Sequence, residues 1–125
     1  MLNALCVAVF GALGALARWG TGRLVGGTDG GIPWATLMVN GVGSLALGAL
    51  TGWCLSTNSL DERWRLALAT GFLGSFTTFS TFSVETVQLA DSGRWDLATA
   101  NAGLHFVVGL GAAAIGFFLA KSSLA

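Results

Sequence analysis

Four long stretches of the chain carry no charged side chain: 1–17, 30–60, 66–84 and 97–120. A helix that crosses a bilayer needs about 20 predominantly apolar residues, within a range of roughly 17–25. The pattern therefore predicts an all-α membrane protein with four transmembrane helices, over about 2–24, 33–55, 65–88 and 97–120. Almost nothing is left over, so residues 1–125 read as a single four-helix domain with no soluble part. "ALA" at 15–17 imitates a signal-peptide cleavage site, but no Lys or Arg precedes the first apolar run. A secretory signal has a basic start, so this run is expected to be a retained span.

Composition supports the membrane reading and removes other classes. The chain is 54% hydrophobic and 10% charged, where soluble domains carry about 25% charged residues. The formal net charge is zero. There is thus no basic patch for nucleic acid and no acidic tail. Cys6 and Cys54 both fall in predicted spans and fit neither a disulfide framework nor a metal site. "GVGSLA" at 41–46, with Asp61 downstream, imitates a dinucleotide fingerprint. That motif needs a preceding strand and a βαβ unit, which an uncharged membrane run does not offer. One His and no supported nucleophile–base pair argue against an enzyme.

The charges bear on orientation. With both termini on one side, that side carries Arg63, Arg65 and Lys121, and the other carries Arg18, Arg23 and Arg94. The positive-inside rule orients a chain by an imbalance of these residues. Here the count ties, which predicts insertion both ways up. Asn40, Phe79, Phe82 and His105 lie ~4–8 Å from the centres of their helices, all displaced toward the Arg18 side. Arg18 and Glu85 lie on that side too. An inverted twin would supply the other half of the membrane, so an antiparallel homodimer is expected. Ser44, Gly48 and Gly52, Gly109 and Ala113, and Gly11 and Ala15 recur at spacing four, as closely packed membrane helices require.

The third span contains "GFLGSFTTFSTF" at 71–82. Gly and Thr are poor helix formers, and Ser and Thr hydroxyls compete for backbone hydrogen bonds. Residues 74–78 therefore predict a break in the helix at mid-membrane. A break is tolerated only where it is buried in protein or lines a water-filled cavity. It frees carbonyl oxygens that can bind a cation. Phe79 and Phe82, three apart, share a helix face. Aromatic rings have positive edges, so two edges facing a narrow path favour an anion. Asn40, at similar depth, can donate from its amide.

These residues carry a resemblance. The chain resembles the Fluc (CrcB) family of fluoride ion channels in "GALGALARW" (11–19), "PWATLMVNGVGSLALG" (33–48) and "GFLGSFTTFSTFSVE" (71–85), and the four-helix plan covers essentially the whole chain. The resemblance implies an antiparallel, dual-topology dimer with two pores and a structural Na⁺ at its centre. It implies passive, selective fluoride export that relieves toxicity. By residue, it makes Phe79 and Phe82 the aromatic box and Asn40 the polar pore residue beside it. Gly74 and Thr77 would hold Na⁺ through backbone carbonyls. Ser80 and Thr81 would belong to a polar track, and Glu85 would sit at a pore mouth. Arg18 would be structural or vestibular. Trp19 stands where the family often has tyrosine. In the last span only His105 is polar near the path, beside Leu104, Phe106 and Gly109, and helix packing is the competing role for that His.

Two other readings fit a chain of this size. A proton-coupled small multidrug transporter needs a titratable carboxylate deep in the membrane, for which only Glu85 is available, near a helix end. A non-transporting membrane assembly subunit would need only the small-residue faces. The small size without a fused duplicate half points to the plasma (inner) membrane of a prokaryote.

Overall fold

The computed structural model describes residues 1–26, 30–57 and 60–122. The loops expected near 25–32 and 56–64 fall partly on residues 27–29 and 58–59, outside that set. The described residues are helical with short connections and contain no strand. Helix α1 runs Leu2–Val25, α2 Trp34–Thr57 and α5 Trp95–Ser122. These three are long and apolar enough to cross a membrane.

The region expected as one span over 65–88 is built in pieces. Helix α3 starts at Glu62, where the Asp61 carboxylate accepts a 2.8 Å hydrogen bond from the Arg63 N–H. It widens to a π-helix over Leu66–Leu73 and ends with the turn Gly74–Phe76. Thr77 (φ −80°, ψ 157°) and Thr78 (φ −152°, ψ 112°) are extended. Helix α4 then runs Phe79–Asp91. A turn with Gly93 at φ 79° leads into α5.

Two pairings organise the bundle: α2 lies along α5, and α1 lies along α3. The first depends on small residues. The missing side chain of Gly48 leaves room for the Ala113 carbonyl, and that of Gly116 for the Leu45 carbonyl. Any Cβ at either position would occupy the space of a neighbouring backbone. Gly52 faces the Phe117 backbone in the same way, and Gly11 of α1 faces Ser75. Without a hydrophobic force between helices in lipid, such close backbone approach is what holds them together.

The interior is correspondingly unlike that of a soluble protein. Leu5, Leu16, Leu110, Ile115 and Phe118 are exposed, and the largest fully buried side chain among the described residues is Asn101. The five Trp residues are exposed and stand within the first or last turns of their helices or just inside them. This is where amphipathic rings meet the lipid headgroups.

Gly48→Val should therefore destabilise the fold by about 3 kcal/mol or more, because overpacking against backbone finds no rotamer to relieve it. Gly103→Ala, with open space around it, should be neutral or slightly stabilising. Unfolding titrations of both variants in detergent check the pair.

Candidate functional site

Two extended residues between helices leave backbone groups that no helical ladder can satisfy. Asn40 of α2 meets this need. Its Oδ1 accepts from the Thr78 N–H at 2.7 Å, and its Nδ2 donates to the Thr78 carbonyl at 3.0 Å. The side-chain amide thus pairs with both backbone groups of one residue, Thr78, between α3 and α4. The approach is possible because Gly43, one turn along α2, has no side chain where the Thr77 methyl and the Phe76 ring sit.

Thr78 organises the start of α4 with its hydroxyl. Its Oγ1 accepts from the Thr81 N–H at 3.2 Å and donates to Thr81 Oγ1 at 2.9 Å. Ser80 Oγ stands 3.3 Å from the same hydroxyl. This is an N-cap made by a side chain, the usual device for orphan N–H groups at a helix start. On the other side of the interruption, the Thr77 hydroxyl donates to the Leu73 carbonyl at 2.9 Å. The Thr77 N–H reaches the same carbonyl at 3.0 Å.

The expected site residues separate into two groups around this point. A cavity of about 620 Å³ is lined by Asn40, Thr77, Thr78, Phe79, Phe82 and His105, with Phe106 and small residues of α2 and α5. The Phe79 and Phe82 rings are 5.5 Å apart at 58°, and the His105 ring lies 4.3 Å from Phe82 at 33°. A second cavity of about 480 Å³ is lined by Arg18, Trp19, Thr36, Thr81 and Glu85. Thr78 lines both. The interruption therefore stands between two polar-edged hollows. The Glu85 carboxylate accepts from the Thr36 hydroxyl at 2.8 Å. Ser80 is exposed beside the Thr78 hydroxyl, and Gly74 is exposed at the end of α3. His105 both lines the first cavity and has its Nδ1 3.0 Å from the Asn101 carbonyl.

Sequence reasoning placed Thr78 in the expected break without its partner, and passed over three residues that the fold puts to use: Thr36, Thr86 and Asn101. Asn101 offered a signal, being an amide in a charge-free run one helical turn before His105. Thr36 and Thr86 offered none, because a threonine in a membrane helix often bonds only to its own backbone.

Three unbroken apolar helices, a divided fourth segment and paired polar hollows on either side of the division define a small multi-pass helical membrane protein. A family model described as "CrcB-like protein, Camphor Resistance (CrcB)" matches residues 5–117. The chain belongs to this CrcB family. It is 50% identical over 115 residues to "Fluoride-specific ion channel FluC 2" of Symbiobacterium thermophilum, covering 91% of this chain and 94% of that one. It is 44% identical over 116 residues to "Fluoride-specific ion channel FluC" of Syntrophotalea carbinolica, covering 92% and 94%. A protein of the same name from Methylobacterium nodulans is 43% identical over 122 residues.

Asn40→Ala should leave the Thr78 N–H and carbonyl unpaired, at a cost of about 1–3 kcal/mol for each. Unfolding by titrated denaturing detergent should show the loss, and wild-type stability would contradict the pairing.

Proposed function

We propose that this chain is a fluoride-selective ion channel that lets F⁻ leave a prokaryotic cell through its plasma membrane and so relieves fluoride toxicity. The observation that carries the reading is the convergence of Asn40, Phe79, Phe82 and His105 on one cavity beside the helix interruption. The names of the curated relatives supply the identity of the ion. The reading involves no catalytic step.

Fluoride is small and holds its water strongly, so a dry path must replace that water with donors. One Asn40 amide hydrogen is committed to the Thr78 carbonyl, and an amide nitrogen has a second. The ring edges of Phe79 and Phe82 add positive potential. The hydroxyls of Ser80 and Thr81 continue the polar track. Arg18 and Glu85 line the hollow on the far side of Thr78, the place of a vestibule. Chloride is larger and is refused by a narrow aperture. The flow is passive: a membrane potential drives an anion outward with about 2.3 kcal/mol per 100 mV.

The channel is an antiparallel homodimer inserted in both orientations, with two pores. Phe79 is 79% exposed and Phe106 69% exposed on the open side of the cavity, which supports a covering second copy. The tie of Lys and Arg across the membrane supports dual topology. Gly74 and Thr77 are the residues that would hold a Na⁺ ion at the dimer centre, through their backbone carbonyls. Among the described residues, no donor from outside the helical ladders reaches the carbonyls of Gly74 and Thr77. The backbone carbonyls of Gly74 and Thr77 would hold the ion, which would supply positive charge to these freed carbonyl dipoles.

The test is fluoride efflux from liposomes holding the purified protein, read with a fluoride electrode beside a chloride electrode. Fluoride release without chloride release is expected. Phe82→Ile should abolish or sharply slow it while the protein still assembles. No release from correctly folded protein would overturn the reading, and full flux in Phe82→Ile would remove the aromatic pair from it.

A further inference from the structure

Asn101 is fully buried, and it does not line the cavity that its neighbours Ala102 and His105 line. A buried amide inside a membrane helix is costly unless its polar atoms are used. Its side-chain nitrogen and its backbone carbonyl each lead to Phe82, in two directions, while its side-chain Oδ1 is buried without a hydrogen-bond partner.

In the first direction, Asn101 Nδ2 donates to Thr86 Oγ1 at 2.8 Å. The Thr86 hydroxyl then donates to the Phe82 carbonyl at 2.8 Å. Because the hydroxyl oxygen accepts from Asn101, its single hydrogen is free to serve Phe82. The turn 82–86 of α4 is thereby tied to α5 by a chain with a fixed sense.

In the second direction, the Asn101 backbone carbonyl lies 3.0 Å from His105 Nδ1. A carbonyl only accepts, so Nδ1 carries the proton and donates. This bond sets the rotation of the imidazole, and the imidazole ring lies 4.3 Å from the Phe82 ring at 33°. Two rings in that arrangement share faces. With one face covered by His105 and the Phe79 ring 5.5 Å away at 58°, the freedom of Phe82 to turn is restricted.

We propose that Asn101 and Thr86 are positioning residues that, with His105, hold the Phe82 ring in the one orientation that turns its edge toward the ion path. The reason it matters is the quadrupole of the ring: the edge attracts an anion and the face repels it. A ring free to swing would present both, and the path would lose its preference at this point. The inference rests on the channel reading above for its consequence, but the clamp itself is a property of the folded chain.

The test uses Thr86→Val, which keeps shape and removes the hydroxyl, and Thr86→Ser, which keeps the hydroxyl. Asn101→Leu removes the amide. Two readouts are taken on each. One is fluoride and chloride flux from liposomes. The other is the fluorine NMR spectrum of protein with 3-fluorophenylalanine placed at position 82, which reports ring orientation and the imidazole above it. In Thr86→Val and Asn101→Leu the fluorine signal should move or split, and fluoride flux should fall at least about tenfold relative to chloride. Thr86→Ser should restore both readouts to within about twofold of wild type. Thr86→Val folding is checked by its elution and thermal melt. Should Asn101→Leu fail to fold, the Thr86 pair alone carries the test. An unmoved fluorine signal in Thr86→Val overturns the clamp, and a moved signal with unchanged flux overturns its role in permeation. If the unmutated protein carries no fluoride, the channel reading fails, while the fluorine spectrum still decides for or against the clamp.

Discussion

A peptide unit that leaves a helix inside a bilayer has no water to turn to, and each unsatisfied group there costs several kcal/mol. The double hydrogen bond between the Asn40 amide and the Thr78 backbone removes that cost. Much of the rest of the structure is arranged so that it can form. Gly43 lets α2 come close enough to Thr77. Gly48 and Gly116 lock α2 against α5, which keeps Asn40 at the right height. Thr78, held by its backbone, has its hydroxyl free to start α4. Because α4 starts there, Phe79 and Phe82 face the cavity and Thr81 and Glu85 face the opposite hollow.

The distribution of polarity follows from the solvent. Lipid gives apolar side chains no reason to go inside, so they stay on the outside. What must be inside is what lipid cannot accommodate: the Asn40 and Asn101 amides, the Thr36–Glu85 hydrogen bond and the paired hydroxyls of Thr78 and Thr81. These polar contacts, each with defined geometry, select one arrangement of helices. Small residues then let that arrangement close. Packing and polarity have exchanged the roles they have in a soluble core, where apolar burial drives collapse and polar groups are tolerated.

The same division separates what was legible in the residues from what was not. The charge-free stretches of 1–17, 30–60 and 97–120 announce α1, α2 and α5, because bilayer thickness imposes a minimum length on any crossing helix. The run Gly-Ser-Phe-Thr-Thr at 74–78 marks a stretch of weak helix-forming tendency, although 74–76 stay helical and only Thr77 and Thr78 are extended. Asn40, Phe79, Phe82 and His105 stand out as polar or aromatic residues at related depths, and depth along a helix is simple arithmetic on residue number.

Partners are a different matter. Asn40 and Thr78 are 38 residues apart and Thr36 and Glu85 are 49 apart, and no spacing rule relates them. The rotation of each helix about its axis decides which of two neighbours a side chain meets. That rotation is decided by the steric fit of the glycine faces and by the hydrogen bonds that the buried polar groups make between helices. The sequence by itself determined the crossing segments, the weak point in the third of them and the kinds of residue gathered near it. Only the tertiary structure decided that Thr78 divides two hollows and that Asn101 reaches Phe82 through Thr86, because hydrogen bonds between helices exist only once depth, rotation and closeness are all set.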